Sequence, residues 1–242
     1  MADDSVRYMT DIVPNVHNVK VRTAGALKSG VAKSADLFKA EHGWAFTPSF
    51  IHGPHIEDEL ARGECDADIV GLIDEAIGQA VVRGKLAPRR VPVGSIQIGV
   101  AIRSGAERPD ISNMDMFVAA LRSADTLIYT TAASGEYMAG VLTEMGFIRR
   151  FEDKTVRYSS GAEVNARLLA GKAKRELAFG VATEFLSNPK VVYLGPLPEE
   201  IQNPSPYEFA ALSGHDSDDV RLVLDFLDTA KVREIFASTG VD

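Results

Sequence analysis

The chain has 242 residues, of which 45% are hydrophobic and 25% charged, a composition typical of soluble globular proteins. The 34 acidic residues exceed the 26 basic ones, and the formal net charge of -8 is not gathered into a tail, which argues against nucleic-acid binding. A single cysteine, Cys65, excludes an internal disulfide and a multi-cysteine zinc site.

The N-terminal sequence MADDSVRYMTD lacks a basic segment followed by an apolar one, and no apolar run approaches the ~20 residues of a membrane span. Two localisations therefore remain open. The chain is either a periplasmic protein whose signal peptide was removed or a cytoplasmic protein.

Short apolar runs alternate with helix-like stretches in the first third of the chain. VKVRT (19–23) predicts a strand, followed by a helix with apolar positions at helical spacing that stops at Gly43. AFTPSF predicts a second strand, for which Pro48 indicates an edge or irregular position. IHGPH reads as a turn before the short helix IEDELARGE, and ADIVG and LIDEAIGQAVVRGKL add a third strand and helix.

The pattern then changes at VPVGSIQIGVAIRSG (91–105), which predicts extended chain passing from one unit to another. Alternation resumes with a helix capped at Ser112, then TLIYTTAASG with EYMAGVLTEMGF, TVRYSSG with AEVNARLLAGKA, and ELAFGVATEF. A second extended stretch covers 191–201, and a strand (PYEFAAL) and two helices complete the chain.

This alternation predicts an α/β protein, because parallel strands need helical crossovers. The two extended stretches divide it into two lobes with mixed or parallel sheets: residues 1–93 with 197–242, and residues 97–192, with hinges near 94–96 and 193–196. One unbroken sheet is the alternative.

Four glycine-bearing turns follow predicted strands: TAGAL, IHGPH, TTAASG and SSGA. Ligands of open parallel sheets bind beyond the carboxyl ends of the strands, where unpaired helix N–H groups can hold an anion. The alternative is purely structural: the serines Ser134, Ser159 and Ser160 would cap helices, and the glycines would relieve tight turns.

His52 and His55 flank Gly53-Pro54 at the end of the second predicted strand. Without a third ligand nearby in sequence they do not indicate a zinc site, but either could donate to a carboxylate or act as a general base. Exposed loop histidines without a role are the alternative. Ser134 is not in a G-x-S-x-G elbow and no glycines have phosphate-loop spacing, so serine hydrolase and nucleotide-binding functions are disfavoured.

The stretch IQIGVAIRSGAERPDISNMDMFVAALRSADTLIYTTAASGEYMAGVLTEMGF resembles the central lobe of molybdate-type periplasmic solute-binding proteins. The resemblance continues through ARLLAGKAKRELAFGV, LGPLPEEI and FLDTAKVREIFASTG, and covers most of residues 19–240. It implies a type II periplasmic-binding-protein fold, with two α/β lobes joined by two crossing strands that close on an oxyanion.

The residues at the family's oxyanion positions differ from the pattern. TAGA (23–26) replaces an alanine-serine helix start, HGPH (52–55) replaces a glycine-serine loop, and Thr183-Glu184 stands where the family has a tyrosine. The loss of three hydroxyls makes a molybdate or tungstate receptor the less favoured function.

Histidines in place of serine favour a di- or tricarboxylate, bound by a solute-binding protein. The alternative is a cofactor-free isomerase that shifts an allylic proton of an unsaturated tricarboxylate, as in the aconitate-isomerase-like branch, with His52 or His55 as catalytic base.

The resemblance and the four turns together give the candidate ligand-binding residues, with no metal or cofactor expected. They are Thr23, Gly25, Ala26, His52, Gly53, His55, Thr131, Ala133, Ser134, Gly135, Ser160, Gly161 and Thr183. The expected partners are a small anionic ligand and, for a transport receptor, an ABC-type membrane permease. We expect a monomer that does not bind nucleic acid.

Overall fold

The structure, a computed structural model, describes residues 17–242 and contains two five-stranded sheets packed against helices. This arrangement confirms the predicted fold class, α/β with two mixed-sheet lobes. The predicted first lobe begins at residue 1, so its first sixteen residues lie outside the described part. Within 17–242, none of the helices is both long and apolar enough to cross a membrane.

The strands occur in the order expected from the apolar runs. They are β1 (Lys20–Ala24), β2 (Thr47–Ile51), β3 (Ile69–Ile73), β4 (Val91–Ile96), β5 (Ile98–Arg103), β6 (Thr126–Thr130), β7 (Thr155–Tyr158), β8 (Glu176–Val181), β9 (Val191–Pro196) and β10 (Ser205–Ala211). The α-helices are α1 (Lys28–His42), α2 (Gly53–Arg62), α3 (Asp74–Val82), α4 (Met114–Ser123), α5 (Ala133–Glu144), α6 (Gly161–Ala170), α7 (Ala182–Leu186), α8 (Asp218–Leu227) and α9 (Ala230–Ala237). A short 3-10 turn, Gly25–Leu27, joins β1 to α1.

The first sheet, which we call lobe 1, has the order β2-β1-β3-β10-β4, and the second, lobe 2, has the order β7-β6-β8-β5-β9. In each lobe the first three strands are parallel, and the fourth strand is antiparallel to both of its neighbours. β2 lies at a sheet edge, which confirms the position inferred from Pro48. The single-sheet alternative is wrong.

The chain passes between the lobes twice. β4 of lobe 1 is followed after one residue, Gln97, by β5 of lobe 2, and β9 returns through residues 197–204 to β10. The side-chain amide of Gln202 links the two crossings. Its oxygen accepts from the Ile98 N–H at 3.1 Å, and its nitrogen donates to the Ile98 carbonyl at 2.8 Å.

The strands β4 and β9, from which the chain crosses to the other lobe, each contain a β-bulge. The register of β4 against β10 shifts beside Gly94, and that of β9 against β5 shifts beside Gly195. The φ angles of these glycines are 133° and 143°, a conformation that other residues rarely adopt.

Each sheet buries its own apolar core. Phe38 of α1 is central in lobe 1, with its ring 5.0 Å from that of Phe226 and 5.6 Å from that of Phe46. In lobe 2, Phe117 of α4 and Tyr129 of β6 pack around Phe179 of β8. The lobes therefore have the separate cores expected of two folding units.

Two local expectations were wrong. Helix α4 is capped by Asn113, whose side chain accepts from the Met116 N–H at 3.0 Å, and not by Ser112. IHGPH is not wholly a turn, because α2 begins at Gly53 and includes Pro54 and His55. Proline is well tolerated in the first turn of a helix, since the N–H that it lacks would have no intrahelical partner there.

Candidate functional site

The candidate site is built from the carboxyl ends of the parallel strands. In lobe 1, no more than one residue separates the ends of β1, β2 and β3 from the helical backbone that follows. In lobe 2, no more than two residues separate the ends of β6, β7 and β8 from the helices that follow. The first N–H groups of these helices have no intrahelical acceptor, so each strand end is followed by potential donors for an anion.

After β1, the three predicted ligand residues differ in exposure. Thr23 is fully buried and its hydroxyl donates to the Ala24 carbonyl at 3.2 Å, so its side chain is engaged inside the protein. Gly25 is exposed and Ala26 is half-buried. The 3-10 turn Gly25–Leu27, rather than the Thr23 side chain, is the accessible part of this segment.

After β2, His52 is the N-cap residue of α2 and His55 lies in its first turn. Both are exposed, and their rings are 5.6 Å apart at an angle of 72°. Neither side chain forms a hydrogen bond or ion pair with another residue in 17–242, so both can donate or accept toward a ligand. Gly53 between them lies beside Ala24, which brings the first two turns together.

The TTAASG segment forms the start of α5. The helix begins at Ala133 without a side-chain cap, so Ser134 lies in the first turn and is not a cap. The side-chain hydroxyl of Thr130 accepts from the Ala132 N–H at 3.2 Å. The Thr131 N–H donates to the Tyr158 carbonyl at 2.7 Å. The second of these bonds ties this turn to the end of β7.

Gly135 is required by close packing. An added Cβ would lie 1.9 Å from the Thr130 carbonyl oxygen, so only glycine lets α5 start this near to β6. None of the candidate glycines Gly25, Gly53, Gly135 and Gly161 has a positive φ, so a left-handed turn conformation is not the reason for glycine at these positions.

At the start of α6, the side chains of Ser159 and Ser160 serve the helix. Ser160 accepts from the Glu163 N–H at 3.3 Å, and Glu163 accepts from the N–H and hydroxyl of Ser159 at 2.9 and 2.6 Å. This arrangement resembles a capping box in which Glu163 bonds to Ser159, the residue before the N-cap, and the Ser159 bonds hold the pKa of Glu163 below its usual range. The capping interpretation of Ser160 is thus confirmed.

Gly161, the first residue of α6, lies against Glu184. A Cβ at Gly161 would be 1.5 Å from Oε2 of Glu184, which shows that the carboxyl occupies the space beside the helix start. Glu184 belongs to α7, which follows β8 directly, and burial raises the pKa of its carboxyl above the usual range. Thr183, beside it, is buried with a hydroxyl that has no partner in 17–242.

The lobes meet at this point. Helix α7 packs against the 3-10 turn Gly25–Leu27, and Val181 at the end of β8 packs on the core of lobe 1. Tyr207 of β10 lies opposite Ile73 at the carboxyl end of β3, and burial together with the charge of Glu184 raises its pKa to about 12. Glu184 therefore lies among groups of both lobes.

Glu184 and Tyr207 were absent from the candidates that the sequence provided. Glu184 was missed because the candidates were chosen for hydroxyls and histidines, and a carboxylate is neither. Its position three residues after an apolar strand was a signal that could have identified it. Tyr207 belongs to a strand that runs antiparallel to β3, so the rule based on carboxyl ends of parallel strands does not find it.

Metal binding finds no support in this region. Within residues 17–242, no group of three or more histidine, cysteine, aspartate or glutamate side chains is placed to hold a metal ion. The arrangement instead offers helix N–H groups, two imidazoles and the half-buried carboxyl of Glu184, which are suited to holding a small anion and to moving a proton.

Comparison with known proteins identifies the family. The family described as bacterial extracellular solute-binding protein matches residues 19–242, and this chain belongs to it. An aconitate isomerase from Pseudomonas sp is 30% identical over 234 residues, which cover 93% of this chain and 88% of that protein.

Two solved structures with low sequence identity have the same fold. The periplasmic molybdate-binding protein of Azotobacter vinelandii is 16% identical with a TM-score of 0.75, covering 93% of this chain and 98% of its own. PEB3 with L-phospholactate bound is 18% identical with a TM-score of 0.67, covering 92% and 98%; PEB3 itself is from Campylobacter jejuni. These likenesses agree with the resemblance to molybdate-type binding proteins.

Proposed function

We propose that this solute-binding protein holds a small organic anion, a di- or tricarboxylate, between its lobes. The main support is the contact of α7 with Gly25–Leu27, which brings strand ends and helix starts of both lobes side by side. Helix N-termini favour anions through their free N–H groups and their dipoles. L-phospholactate, which carries a carboxylate and a phosphate, is a precedent for an organic anion on this fold.

The proposed contacts combine backbone and side-chain donors. The N–H groups of Gly25, Ala26, Ala133 and Ser134 would hold carboxylate oxygens, and His52 and His55 would donate from the edge of lobe 1. The remaining proposed contacts are Thr23, Gly53, Thr131, Gly135, Ser160, Gly161 and Thr183. Of these, Thr23 and Ser160 would act by positioning the backbone, because their hydroxyls bond to the protein itself.

Closure of the lobes over the ligand would occur at the two crossings. We place the hinges near 94–96 and 193–196, between a lobe of residues 1–93 with 197–242 and a lobe of residues 97–192. The bulges at Gly94 and Gly195 support this placement, because a bulge interrupts the ladder of hydrogen bonds and bends the strand.

Membership in an extracellular solute-binding family supports a periplasmic location for this chain. In that location, an ABC-type membrane permease would be the partner of a transport receptor. Binding of the liganded chain to permease-containing membrane vesicles, compared with the ligand-free chain, tests this partner.

Calorimetric titration tests the ligand class. The purified chain should bind citrate, cis-aconitate or trans-aconitate more tightly than molybdate or tungstate. Tight molybdate binding with no response to the carboxylates would contradict the proposal. His52→Gln and His55→Gln should weaken carboxylate binding, whereas His215→Gln is the matched control, because His215 bonds to Asp68 at the opposite end of β3.

A second candidate function is isomerisation of an unsaturated tricarboxylate without a cofactor. The 30% identical aconitate isomerase favours it, as do the titratable side chains among the strand ends. In the simplest assignment, His52 or His55 removes the allylic proton and returns it at the other end of a three-carbon unit.

Incubation with cis- or trans-aconitate, followed by chromatographic separation of the two isomers, tests this activity. The isomers should approach one equilibrium ratio from either side. If His52→Ala and His55→Ala both fold and neither slows the conversion, the histidine assignment is wrong.

A further inference from the structure

The Glu184 carboxyl lies at the base of the proposed ligand site. Its Oε2 atom occupies the space where a side chain at Gly161 would begin, and its helix α7 touches the 3-10 turn that follows β1. Tyr207 of lobe 1 is near enough for the charge of Glu184 to affect its ionisation. Glu184 thus adjoins the start of α6 and the neighbouring lobe at once.

This carboxyl has no partner in the part of the chain that the structure describes. No hydrogen bond or ion pair to its oxygens occurs in residues 17–242, and burial is the one cause that raises its pKa. Glu184 is half-buried, and a carboxyl held partly out of water without a partner is costly for a folded protein. Such groups in a cleft are candidates for a chemical role, in which an elevated pKa is useful.

The histidines have a different environment. His52 and His55 are exposed and follow β2, the edge strand of lobe 1. Glu184 instead follows β8, the central strand of lobe 2. A base that removes a proton from carbon must touch the middle of a bound ligand, whereas groups at the sheet edge can hold its carboxylates.

We propose that the carboxylate of Glu184 is the catalytic base that moves the allylic proton of a bound unsaturated tricarboxylate. This proposal rests on the isomerase function proposed above, and it assigns the histidines to ligand binding. The exposed histidines then orient the substrate, and Glu184 carries the proton from one carbon to the other.

The reaction balances with this single group. An Oε atom of Glu184 takes a proton from the methylene carbon, and the electron pair of the broken C–H bond forms a double bond to the central carbon. The electron pair of the original double bond passes to the other terminal carbon, which takes the proton back from Glu184. No atom or electron is gained or lost. The helix N-termini stabilise the extra negative charge on the ligand carboxylates between these steps.

The test follows isomerisation and deuterium uptake from solvent by NMR, with trans-aconitate in heavy water. Glu184→Gln should lower both rates by roughly 100-fold or more, the usual contribution of a general base. Its affinity for trans-aconitate, measured by calorimetry, should change by less than about tenfold, since 1.4 kcal/mol corresponds to a factor of ten. Glu184→Asp should retain part of the activity, and the exposed Glu234→Gln should match the wild type.

A second variant tests the role of Glu184 independently, so the test does not depend on the folding of Glu184→Gln. Gly161→Ala keeps the carboxyl but displaces it from the helix start, so both rates should also fall. The pH dependence of the wild-type rate should show a rising limb that is absent from the residual rate of Glu184→Gln.

The outcomes separate the two proposals. If the wild type isomerises aconitate and folded Glu184→Gln retains more than about a third of its rate, the role of Glu184 is overturned and the isomerase function stands. If the wild type binds tricarboxylates but neither isomerises them nor exchanges deuterium, both the isomerase function and this role are overturned, while the binding function stands.

Discussion

The start of α5 offers a sharp test of how closely this helix must approach its strand. In Gly135→Ala, the new Cβ would lie 1.9 Å from the carbonyl oxygen and 2.5 Å from the carbonyl carbon of Thr130. These are backbone atoms of a buried residue that pairs with Tyr158 of β7, so they cannot rotate away. The helix start must therefore move outward.

The same helix contains the control. Gly140 lies in the interior of α5, and a Cβ added there meets no atom within 4 Å. Replacing a helical glycine by alanine in open space stabilises by about 0.5–1 kcal/mol. Overpacking at Gly135 costs about 1–3 kcal/mol or more. We therefore expect Gly140→Ala to be more stable than Gly135→Ala by about 1.5–4 kcal/mol, combining these two effects.

Urea unfolding followed by circular dichroism measures this difference, and thermal scans give a second reading. At this chain length, a change of 1 kcal/mol shifts Tm by roughly 2–4 °C. Gly135→Ala should also weaken tricarboxylate binding, because α5 carries donors of the proposed site. Equal stability of the two variants would refute the inference that the backbone of Thr130 restricts residue 135.

Three further predictions concern the cleft and the crossings. Gln202→Ala removes both hydrogen bonds to Ile98 and should lower the free energy of unfolding by about 1–3 kcal/mol, measured by urea titration; an unchanged value would show that the bonds contribute nothing. Burial raises the folded-state pKa of Glu184 above the usual value of 4.5, so folding favours its protonated form and this contribution is lost as pH rises through the folded pKa. Glu184→Gln should therefore gain stability relative to the wild type as pH rises from below 4.5 toward neutrality, and a difference independent of pH would contradict this. Ser160→Ala removes the cap of α6 and should cost about 1 kcal/mol, whereas full stability in thermal scans would show that the capping bond to Glu163 is dispensable.

The fold could be predicted largely from the sequence, because hydrophobic periodicity and the need for crossovers between parallel strands are local signals. Pro48 indicated an edge strand and Gly43 a helix end, since each residue restricts the backbone directly. The cap at Asn113 was missed because Ser112 beside it is an equally good capping residue, and the tertiary structure decides which one has the right dihedral angles.

The site could be predicted only in part. The strand ends that carry it follow from the alternation of elements, but the surroundings of each side chain do not. Thr23 is a ligand-binding candidate by sequence and is fully buried in the fold. The environment of the Glu184 carboxyl is set by its contact with Gly161 and by the nearby Tyr207 of β10. These contacts join segments that are far apart in the chain. Sequence spacing contains no information on such contacts.

The matching strand orders of the two lobes have a consequence for the shape of the ligand. Each sheet presents three parallel strands, then a strand that enters from the other lobe, then an edge strand that leaves at a bulged glycine. In the proposed site, each lobe would thus contribute a half-site of like construction, with helix starts as its donors. Such a pair suits a molecule with negative charge at both ends, because each terminus meets the same kind of receptor while the uncharged middle spans the gap.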